Sequence, residues 1–319
     1  MSAVPVRHRR LGAALLATLA LALTSTACGG GTEPAAAPGA GRTVTDVTGT
    51  AVTVPISPQR VVALSEQDLD GALALGITPV GTVNGRGQST APKYLGDRVT
   101  GIAVVGDVAK PTMDKLVAAA PDLILAGSVT DTQILTDLRK LAPTVVTYRP
   151  EDDWKTAFRT LAGALGKTDA ATTWLAEYDK KAAAAKSRFG ADAGAEVSIV
   201  RWNPQGPGVM QTGHFASLVA ADLGLKRPAG QQEPGFAHSA PLSLENLAKA
   251  DGDWLFLGTL NADGQKALVA AQASAAYAQL GAVRNKKVVA VDGTVWTSRG
   301  GPAAALLVIA DISKALGAA

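Results

Sequence analysis

The stretch DKLVAAAPDLILAG, residues 114–127, has a close counterpart later in the chain, ENLAKADGDWLFLG, residues 245–258. Both begin with an acidic residue, continue with leucine and alanine at helical spacing, and end with an apolar run and a glycine. This pattern predicts a helix followed by a buried strand and a turn. Because one α/β unit occurs twice, we predict two similar α/β lobes.

The segments on either side extend the pattern. A hairpin is predicted around Thr48–Gly49, and apolar runs such as RVVAL (60–64) and PTVVTY (143–148) then alternate with helical segments. The same alternation resumes after Gly190 and continues to the end of the chain. Alternating strands and helices are typical of a parallel sheet wrapped by helices, so each lobe is predicted to be built on such a sheet.

One long helix is predicted between the two lobes. TDAATTWLAEYDKKAAAAKSRFG, residues 168–190, contains no proline, and its first glycine is Gly190. Bulky and small residues share one face of this segment, namely Trp174, Tyr178, Ala182, Ala185 and Phe189. With Thr168 as its cap, the segment predicts about 21 residues of helix, about 31 Å long, which is enough to join two lobes rigidly.

The N terminus predicts export and a lipid anchor. A positive segment with Arg7, Arg9 and Arg10 precedes the apolar run LGAALLATLALAL (11–23), which has the length of a signal-peptide core. Small residues then lead to Cys28, the only cysteine, in a pattern that resembles a bacterial lipobox. We therefore predict a lipoprotein signal peptide over residues 1–27, acylation of Cys28, and a flexible Gly/Pro/Ala tether over residues 28–42.

The remaining chain is predicted to form an N-terminal lobe (43–167), a bridging helix (168–190) and a C-terminal lobe (191–319). Removing residues 1–27 takes away three arginines and no acidic residue, which leaves 27 basic and 27 acidic residues. This balance argues against a nucleic-acid partner and against electrostatic attachment to a membrane. With a single cysteine no disulfide can form within the chain, and we expect a monomer stabilised by its core.

Three segments carry a resemblance to a known family: PQRVVALSEQDLDGALALGITPVGT (58–82), VGDVAKPTMDKLVAAAPDLILAG (105–127) and VWTSRGGPAAALLVIADISKAL (295–316). They resemble the substrate-binding lipoproteins of ABC transporters that import iron-siderophore, haem and cobalamin compounds. The resemblance covers essentially the whole mature chain. It implies a class III periplasmic-binding-protein-like fold, with two Rossmann-like lobes, one rigid bridging helix and a shallow cleft that closes little.

The same resemblance implies a function. A ferric siderophore would be captured outside the cytoplasmic membrane and delivered to an ABC import permease, without a cofactor, since the siderophore itself holds the iron. Haem or a corrinoid is the alternative ligand. In this family an acidic residue on each lobe docks against arginines of the permease, and Asp114 and Glu245 occupy the matching positions. Both could equally be helix-start residues that the helix dipole favours.

Polar and aromatic residues follow the predicted strands, where open parallel sheets bind their ligands. The candidate ligand-binding residues are Ser65, Gln67, Arg86, Arg149, Arg201, Trp202, Trp296 and Arg299. Arginine and tryptophan suit an anionic or oxygen-rich chelate. By resemblance, Arg86 and Arg201 are the strongest candidates. The plainer alternatives are exposed surface charges for the arginines and core positions for Trp202 and Trp296.

Other classes of function find little support. His214 and His238 are too few for a bare zinc or manganese site, and each is expected to be a loop or helix-start residue. The segment GRGQST (85–90) lacks the third glycine of a dinucleotide loop, and neither a nucleophile elbow nor a P-loop lysine is present. We therefore expect a binding protein, and an exported lipoprotein hydrolase is the remaining enzyme alternative.

Overall fold

The computed structural model describes residues 41–108 and 110–317. The predicted signal peptide, Cys28 and the tether up to residue 40 lie outside the described residues. The first elements are β1 (Gly41–Thr45) and β2 (Ala51–Pro55), which pair antiparallel as the predicted hairpin. Gly49 turns the chain between them with a φ of 84°. Strand β1 thus begins two residues inside the segment that was predicted as tether.

The first lobe is built on a five-stranded parallel sheet. Its elements are β3 (Val61–Ala63), α1 (Glu66–Ala74), β4 (Gly81–Thr82), β5 (Ala103–Val104), β6 (Gly106–Asp107), β7 (Lys110–Pro111), α2 (Met113–Ala119), β8 (Leu123–Leu125), α3 (Thr132–Leu141), β9 (Thr144–Val145) and α4 (Trp154–Leu165). The sheet order is β5-β4-β3-β8-β9, and β6 and β7 form a separate hairpin. Strands β3 and β8 are continuous apolar runs because helices cover both of their faces.

The bridging helix α5 spans Thr168–Lys186. Its buried residues are Ala171, Leu175, Tyr178, Ala182 and Ala185. Tyr178, Ala182 and Ala185 belong to the predicted face, whereas Trp174 is half-buried and Phe189 lies beyond the end of the helix. The helix ends four residues before Gly190, and its N-cap is Lys167 and not Thr168, which is the first helical residue. No helix within the described residues is both long enough and apolar enough to cross a membrane.

The second lobe has a four-stranded sheet in the order β11-β10-β12-β13. Its elements are β10 (Val197–Asn203), β11 (Gly206–Val209), α6 (Phe215–Asp222), β12 (Trp254–Thr259), α7 (Ala262–Gln272), α8 (Ala275–Ala278), α9 (Gly281–Arg284), β13 (Val288–Asp292), α10 (Gly293–Trp296) and α11 (Pro302–Leu316). Strands β10, β12 and β13 are parallel, and β11 is an antiparallel edge. The fold is therefore α/β, with two Rossmann-like lobes joined by one long helix.

The repeated sequence segments form corresponding units, α2–β8 in the first lobe and the helical turns of Leu244–Ala250 with β12 in the second. The second helix is a 3₁₀ helix, whereas the first is an α-helix. An aspartate shared by the two segments has the same task in both lobes. Asp122 accepts the N–H groups of Gln59 and Arg60 at 2.7 and 3.0 Å, and Asp253 accepts the N–H of Glu196 at 2.8 Å. Each therefore fixes the chain that enters the neighbouring strand.

One hydrophobic core runs through both lobes. It contains side chains of the first lobe, of α5 and of the second lobe, among them Leu123, Phe158, Tyr178, Phe256 and Ile312. Helix α11, the last element of the second lobe, packs on α1 of the first lobe and on α5. A polar cluster reinforces this junction, since Lys155 of α4 pairs with Asp179 of α5 at 3.2 Å and with Asp222 of α6 at 3.1 Å.

Candidate ligand-binding cleft

A cavity lies between the two lobes at the carboxyl ends of their strands. The first lobe contributes Gln67, Asp152 and Trp154, and the second contributes Gly213, Phe215, Leu218, Phe236, Arg299 and Gly300. The sequence-predicted residues Gln67 and Arg299 thus come together from segments more than 200 positions apart. The cavity wall mixes aromatic surface with polar groups, and its volume of about 20 Å³ makes it a small recess of the cleft and not a pocket for a whole ligand.

Gln67 is held in the cavity wall by the first turn of α1. Ser65 is the N-cap of this helix, and its hydroxyl accepts the N–H of Asp68 at 3.0 Å. Gln67 is only 7% exposed, and its Oε1 atom has no hydrogen-bond partner among the described residues. The predicted residue Ser65 therefore positions the helix, whereas the carboxamide of Gln67 remains available to a ligand.

The loop that carries Arg86 reaches across to the second lobe. The main-chain N–H of Arg86 donates to the Glu66 carboxylate at 2.7 Å, and the side chain is exposed. The next residue, Gly87, has a φ of +71°, and a Cβ placed there would lie 2.7 Å from the carbonyl oxygen of Leu260. Glycine is thus required at 87 by both conformation and contact, and it lets the Arg86 loop touch the opposite lobe.

The sequence predicts Arg201 in the loop after a strand. In the structure it lies inside strand β10. Its Nε atom donates to the Thr297 hydroxyl at 3.1 Å, and an Nη atom donates to the Thr297 carbonyl. Burial lowers the pKa of Arg201 to about 10, with a further contribution from the charge of Arg86. The guanidinium therefore stays charged at neutral pH, and the charges of the two lobes act on each other.

Arg299 and Arg149 differ in their partners. Arg299 of the second lobe donates to the carbonyl oxygen of Pro150 at 2.7 Å, and its guanidinium carbon lies 5.5 Å from the centre of the Tyr148 ring. Arg149 is exposed and pairs with Asp152 at 3.1 Å and Glu151 at 3.6 Å. The structure thus places Arg299 in the cavity wall, while the charge of Arg149 is compensated by two carboxylates on the rim.

The two tryptophans predicted for the cleft lie in the core, and their placement is corrected. Trp202 is 3% exposed and packs edge-on against Tyr277, with ring centres 6.5 Å apart. Trp296 is fully buried, stacks on Phe256 at 4.6 Å and donates its indole N–H to Asp311 at 2.8 Å. The tryptophan that lines the cavity is Trp154, at the start of α4.

His214 lies between two residues of the cavity wall, Gly213 and Phe215. It is the N-cap of α6, which confirms the expected helix-start position, and it is 4% exposed. Burial, together with the charges of Arg201, Arg299, Arg86 and Arg227, lowers its pKa to about 3. Its Nδ1 atom has no partner among the described residues. The imidazole is therefore neutral, and four arginine charges surround it.

Three acidic residues on α1 are also buried beside the cleft. Burial raises the pKa of Glu66 to about 7 and that of Asp68 to about 6, and it raises the pKa of Asp70 as well. The Thr147 hydroxyl donates to Asp68 at 2.6 Å. Acidic residues at a helix start are usually solvated, and no signal in the sequence marks these three as buried.

The remaining predicted residues lie elsewhere. Asp114 and Glu245 are exposed in the first turns of their helices, and neither lines the cavity. His238 forms a hydrogen bond between its Nδ1 atom and the carbonyl of Ser239, at 2.8 Å. Over residues 41–108 and 110–317, no three His, Cys, Asp or Glu side chains gather as a metal site.

Comparison with known proteins agrees with this architecture. The periplasmic binding protein family model matches residues 61–294. The probable siderophore-binding lipoprotein YfiY of Bacillus subtilis is 31% identical over 281 residues, which cover 85% of this chain and 86% of that protein. The iron(3+)-hydroxamate-binding protein FhuD of Bacillus subtilis is 30% identical, with 89% and 91% coverage.

Among solved structures, SirA of Staphylococcus aureus in complex with staphyloferrin B aligns with a TM-score of 0.75 at 26% identity, covering 86% of this chain and 98% of SirA. The family match spans most of the chain. The chain belongs to the periplasmic binding protein family.

Proposed function

We propose that this protein captures a ferric siderophore between its lobes and delivers it to an ABC import permease. The observation that carries the proposal is that Arg299 lines the cavity between the lobes, while the charges of Arg86 in the first lobe and Arg201 in the second act on each other. Guanidinium groups stay charged and donate several hydrogen bonds to oxygen-rich ligands. The names of related siderophore-binding proteins support the same ligand class.

The proposed mechanism is binding and release without covalent change. The siderophore holds the iron, so the protein recognises only the exterior of the chelate. The shared core and the Lys155 cluster hold the lobes together before any ligand arrives. A preorganised cleft loses little conformational entropy on binding, which favours affinity without a large closing motion.

Docking to the permease is proposed for Asp114 and Glu245. Each lies in the first turn of a helix, on equivalent units of the two lobes. Each is also near an exposed apolar residue, since Val117 follows Asp114 by one turn and is 57% exposed, and Leu244 precedes Glu245 and is 46% exposed. Matching acidic and apolar pairs on two similar lobes suit a partner with two-fold symmetry. A lipid on Cys28 would hold the protein at the extracytoplasmic face of the membrane.

The ligand class is tested by isothermal titration calorimetry with ferric siderophores, their iron-free forms and haem. We expect binding of at least one ferric siderophore, accompanied by a change in tryptophan fluorescence because Trp154 lines the cavity. The iron-free compounds serve as controls for the chelate. Binding of haem together with failure of every ferric siderophore would contradict the proposal.

A further inference from the structure

Three arginines of the cleft have no carboxylate at ion-pair distance within the part of the chain that the structure describes. Arg201 donates to the hydroxyl and carbonyl of Thr297, and Arg299 donates to the carbonyl of Pro150, so both use neutral acceptors. The side chain of Arg86 is exposed, and Glu66 receives its main-chain N–H. Arg149, by contrast, is paired with acidic residues on the rim.

The acidic residues nearest to these arginines do not neutralise the cleft. The pKa of Glu66 is raised to about 7 by burial, so that near neutral pH this carboxyl carries its charge only in part. Asp152 lines the cavity, but its carboxylate accepts the guanidinium and the main-chain N–H of Arg149. The cleft therefore keeps an excess of positive charge.

The uncompensated charges converge from two lobes. The charge of Arg86 in the first lobe lowers the pKa of Arg201 in the second. The charges of Arg86, Arg201 and Arg299 all lower the pKa of His214. Like charges at this range repel each other, and the repulsion is stronger away from bulk water. A negatively charged ligand between the lobes would replace this repulsion with attraction.

The cavity beside these arginines also offers unused polar groups. It is lined by the first residues of α6, an eight-residue helix whose N-cap His214 makes no side-chain capping bond. The N-terminal end of a helix favours negative charge. Gln67 lines the same cavity and is only 7% exposed. Its Oε1 atom has no hydrogen-bond partner among the described residues. The Oε1 atom of Gln67 is an acceptor and suits a hydroxyl or amide donor of the ligand, whereas the helix end and Arg299 suit an anionic oxygen.

The charge of a ferric chelate depends on its donor groups. A hydroxamate donor is a monoanion, so a trishydroxamate neutralises the ferric ion and leaves no net charge. Catecholate and α-hydroxycarboxylate donors are dianions, so their ferric complexes carry net negative charge. A neutral chelate offers the guanidinium groups hydrogen-bond acceptors without a net negative charge, whereas an anionic chelate offers charged acceptors, which bind a guanidinium more strongly.

We propose that the cleft is selective for net-anionic ferric chelates, of the catecholate or α-hydroxycarboxylate class, over neutral ferric trishydroxamates. This inference rests on the proposed function and narrows its ligand. Catecholate and α-hydroxycarboxylate chelates both present anionic oxygens on their exterior. Arg86, Arg201 and Arg299 recognise these oxygens.

The test is calorimetric titration of the full folded protein with ferric citrate, a ferric tris-catecholate and a neutral ferric trishydroxamate. We expect at least one anionic chelate to bind at least about tenfold more tightly than the trishydroxamate. Raising NaCl from about 0.05 M to about 0.5 M should weaken binding of the anionic chelate and leave the neutral one unchanged. The two anionic probes show which donor class is preferred.

Charge-removing variants sharpen the test. Arg86→Gln and Arg299→Gln should each weaken the anionic chelate about tenfold and the trishydroxamate by less than about twofold. Arg284→Gln removes an exposed arginine on α9 and is the matched control. Because the Arg86 side chain is exposed, its variant keeps the test valid even if Arg299→Gln perturbs the fold.

Two results would overturn the inference alone: a trishydroxamate that binds as tightly as the anionic chelates, or variants that weaken all chelates equally. In both cases the proposed function stands, because a ferric chelate still binds. Failure of all three chelates to bind would overturn the proposed function, and this inference with it.

Discussion

Arg201 and Trp202 are neighbours in the chain, yet one faces the cleft and the other the core. The sequence places the end of the strand before Arg201, whereas β10 continues to Asn203. Successive side chains of a strand point to opposite faces, so the longer strand separates the pair. The residue types of the site were therefore predictable, but the direction of each side chain depended on where the strand ended.

His214 and Glu66 illustrate a second limit at the residue scale. Both are buried, and two of the arginines whose charges act on His214, Arg86 and Arg299, are distant from it in the chain. Because burial and charge are properties of the folded environment, local sequence gives no sign of them. Arg86 and Arg201, in contrast, were singled out through the family resemblance, although Arg201 lies inside β10 and not after it.

Glu66 leads to a prediction about stability and pH. Burial raises its pKa from 4.5 to about 7. Between pH 4.5 and about pH 7, the Glu66 carboxyl holds a proton in the folded chain that it has released in the unfolded chain. The contribution of Glu66 to stability is therefore full below pH 4.5 and is lost as the pH rises through 7. Relative to Glu66→Gln, the native protein should lose about 3 kcal/mol of unfolding free energy between about pH 5 and about pH 8.

The measurement is urea denaturation of both proteins across that pH range. Taking the difference between the two curves removes the contributions of Asp68 and His214, which are common to both. Glu233→Gln changes an exposed residue and should give a difference that does not vary with pH. A flat difference curve for Glu66→Gln would show that the carboxyl is already ionised in the folded protein at pH 5.

At the scale of elements, Asp70 fastens helix α1 of the first lobe to helix α11 of the second. It is fully buried, and its carboxylate accepts the N–H groups of Ala303 and Ala304 at 2.8 and 3.0 Å and the Tyr94 hydroxyl at 3.0 Å. A Cβ at Gly301 would lie 2.9 Å from the Cβ of Asp70, so only glycine allows this approach. The acidic residue thus caps a helix of the other lobe.

We expect Asp70→Ala to lower the free energy of unfolding by about 2–4 kcal/mol, because buried helix-end N–H groups and a tyrosine hydroxyl lose their acceptor. Asp70→Asn keeps one acceptor oxygen and should cost less. Chemical denaturation measures both. Asp131→Ala removes the cap of α3 at an exposed position and should cost about 1 kcal/mol. An Asp70→Ala loss no larger than this control would contradict the role of Asp70 between the lobes.

The elements themselves were largely predictable. Continuous apolar runs marked β3, β8 and β12, and helical periodicity marked α4, α5 and α11. The sequence did not indicate the antiparallel edge β11, whose residues GPGV include two glycines and a proline. It also did not indicate the bond between α1 and α11, because its partners are 233 and 234 positions apart and local periodicity carries no information on such pairing.

At the scale of the whole molecule, the repeated segments place Asp114 and Glu245 on equivalent units of two lobes. We predict that the double variant Asp114→Arg/Glu245→Arg abolishes uptake of the ferric chelate in cells while its affinity in solution stays within about twofold. If the proposed docking holds, charge reversal replaces attraction to arginines of the permease with repulsion, and it leaves the cleft untouched. Uptake of radiolabelled iron and calorimetry supply the two measurements.

Asp263→Arg is the matched control, since Asp263 is also an exposed acidic residue in the first turn of a helix. Cells with the Asp263→Arg variant should take up the ferric chelate at the normal rate. Uptake that survives the double variant would exclude these two residues from docking, and a parallel loss of affinity would show that the substitutions act through the cleft.

The bond between Asp70 and α11 also bears on the order in which the chain folds. Helix α11 is the last element of the structure, and its partner Asp70 lies 233 residues earlier. Contacts at such separation form late, because a long loop must close first. A chain truncated before residue 302 would leave Asp70 without its helix-end donors and the outer surface of α1 uncovered. A chain without α11 should therefore be cleaved more readily by protease than one in which α11 covers α1.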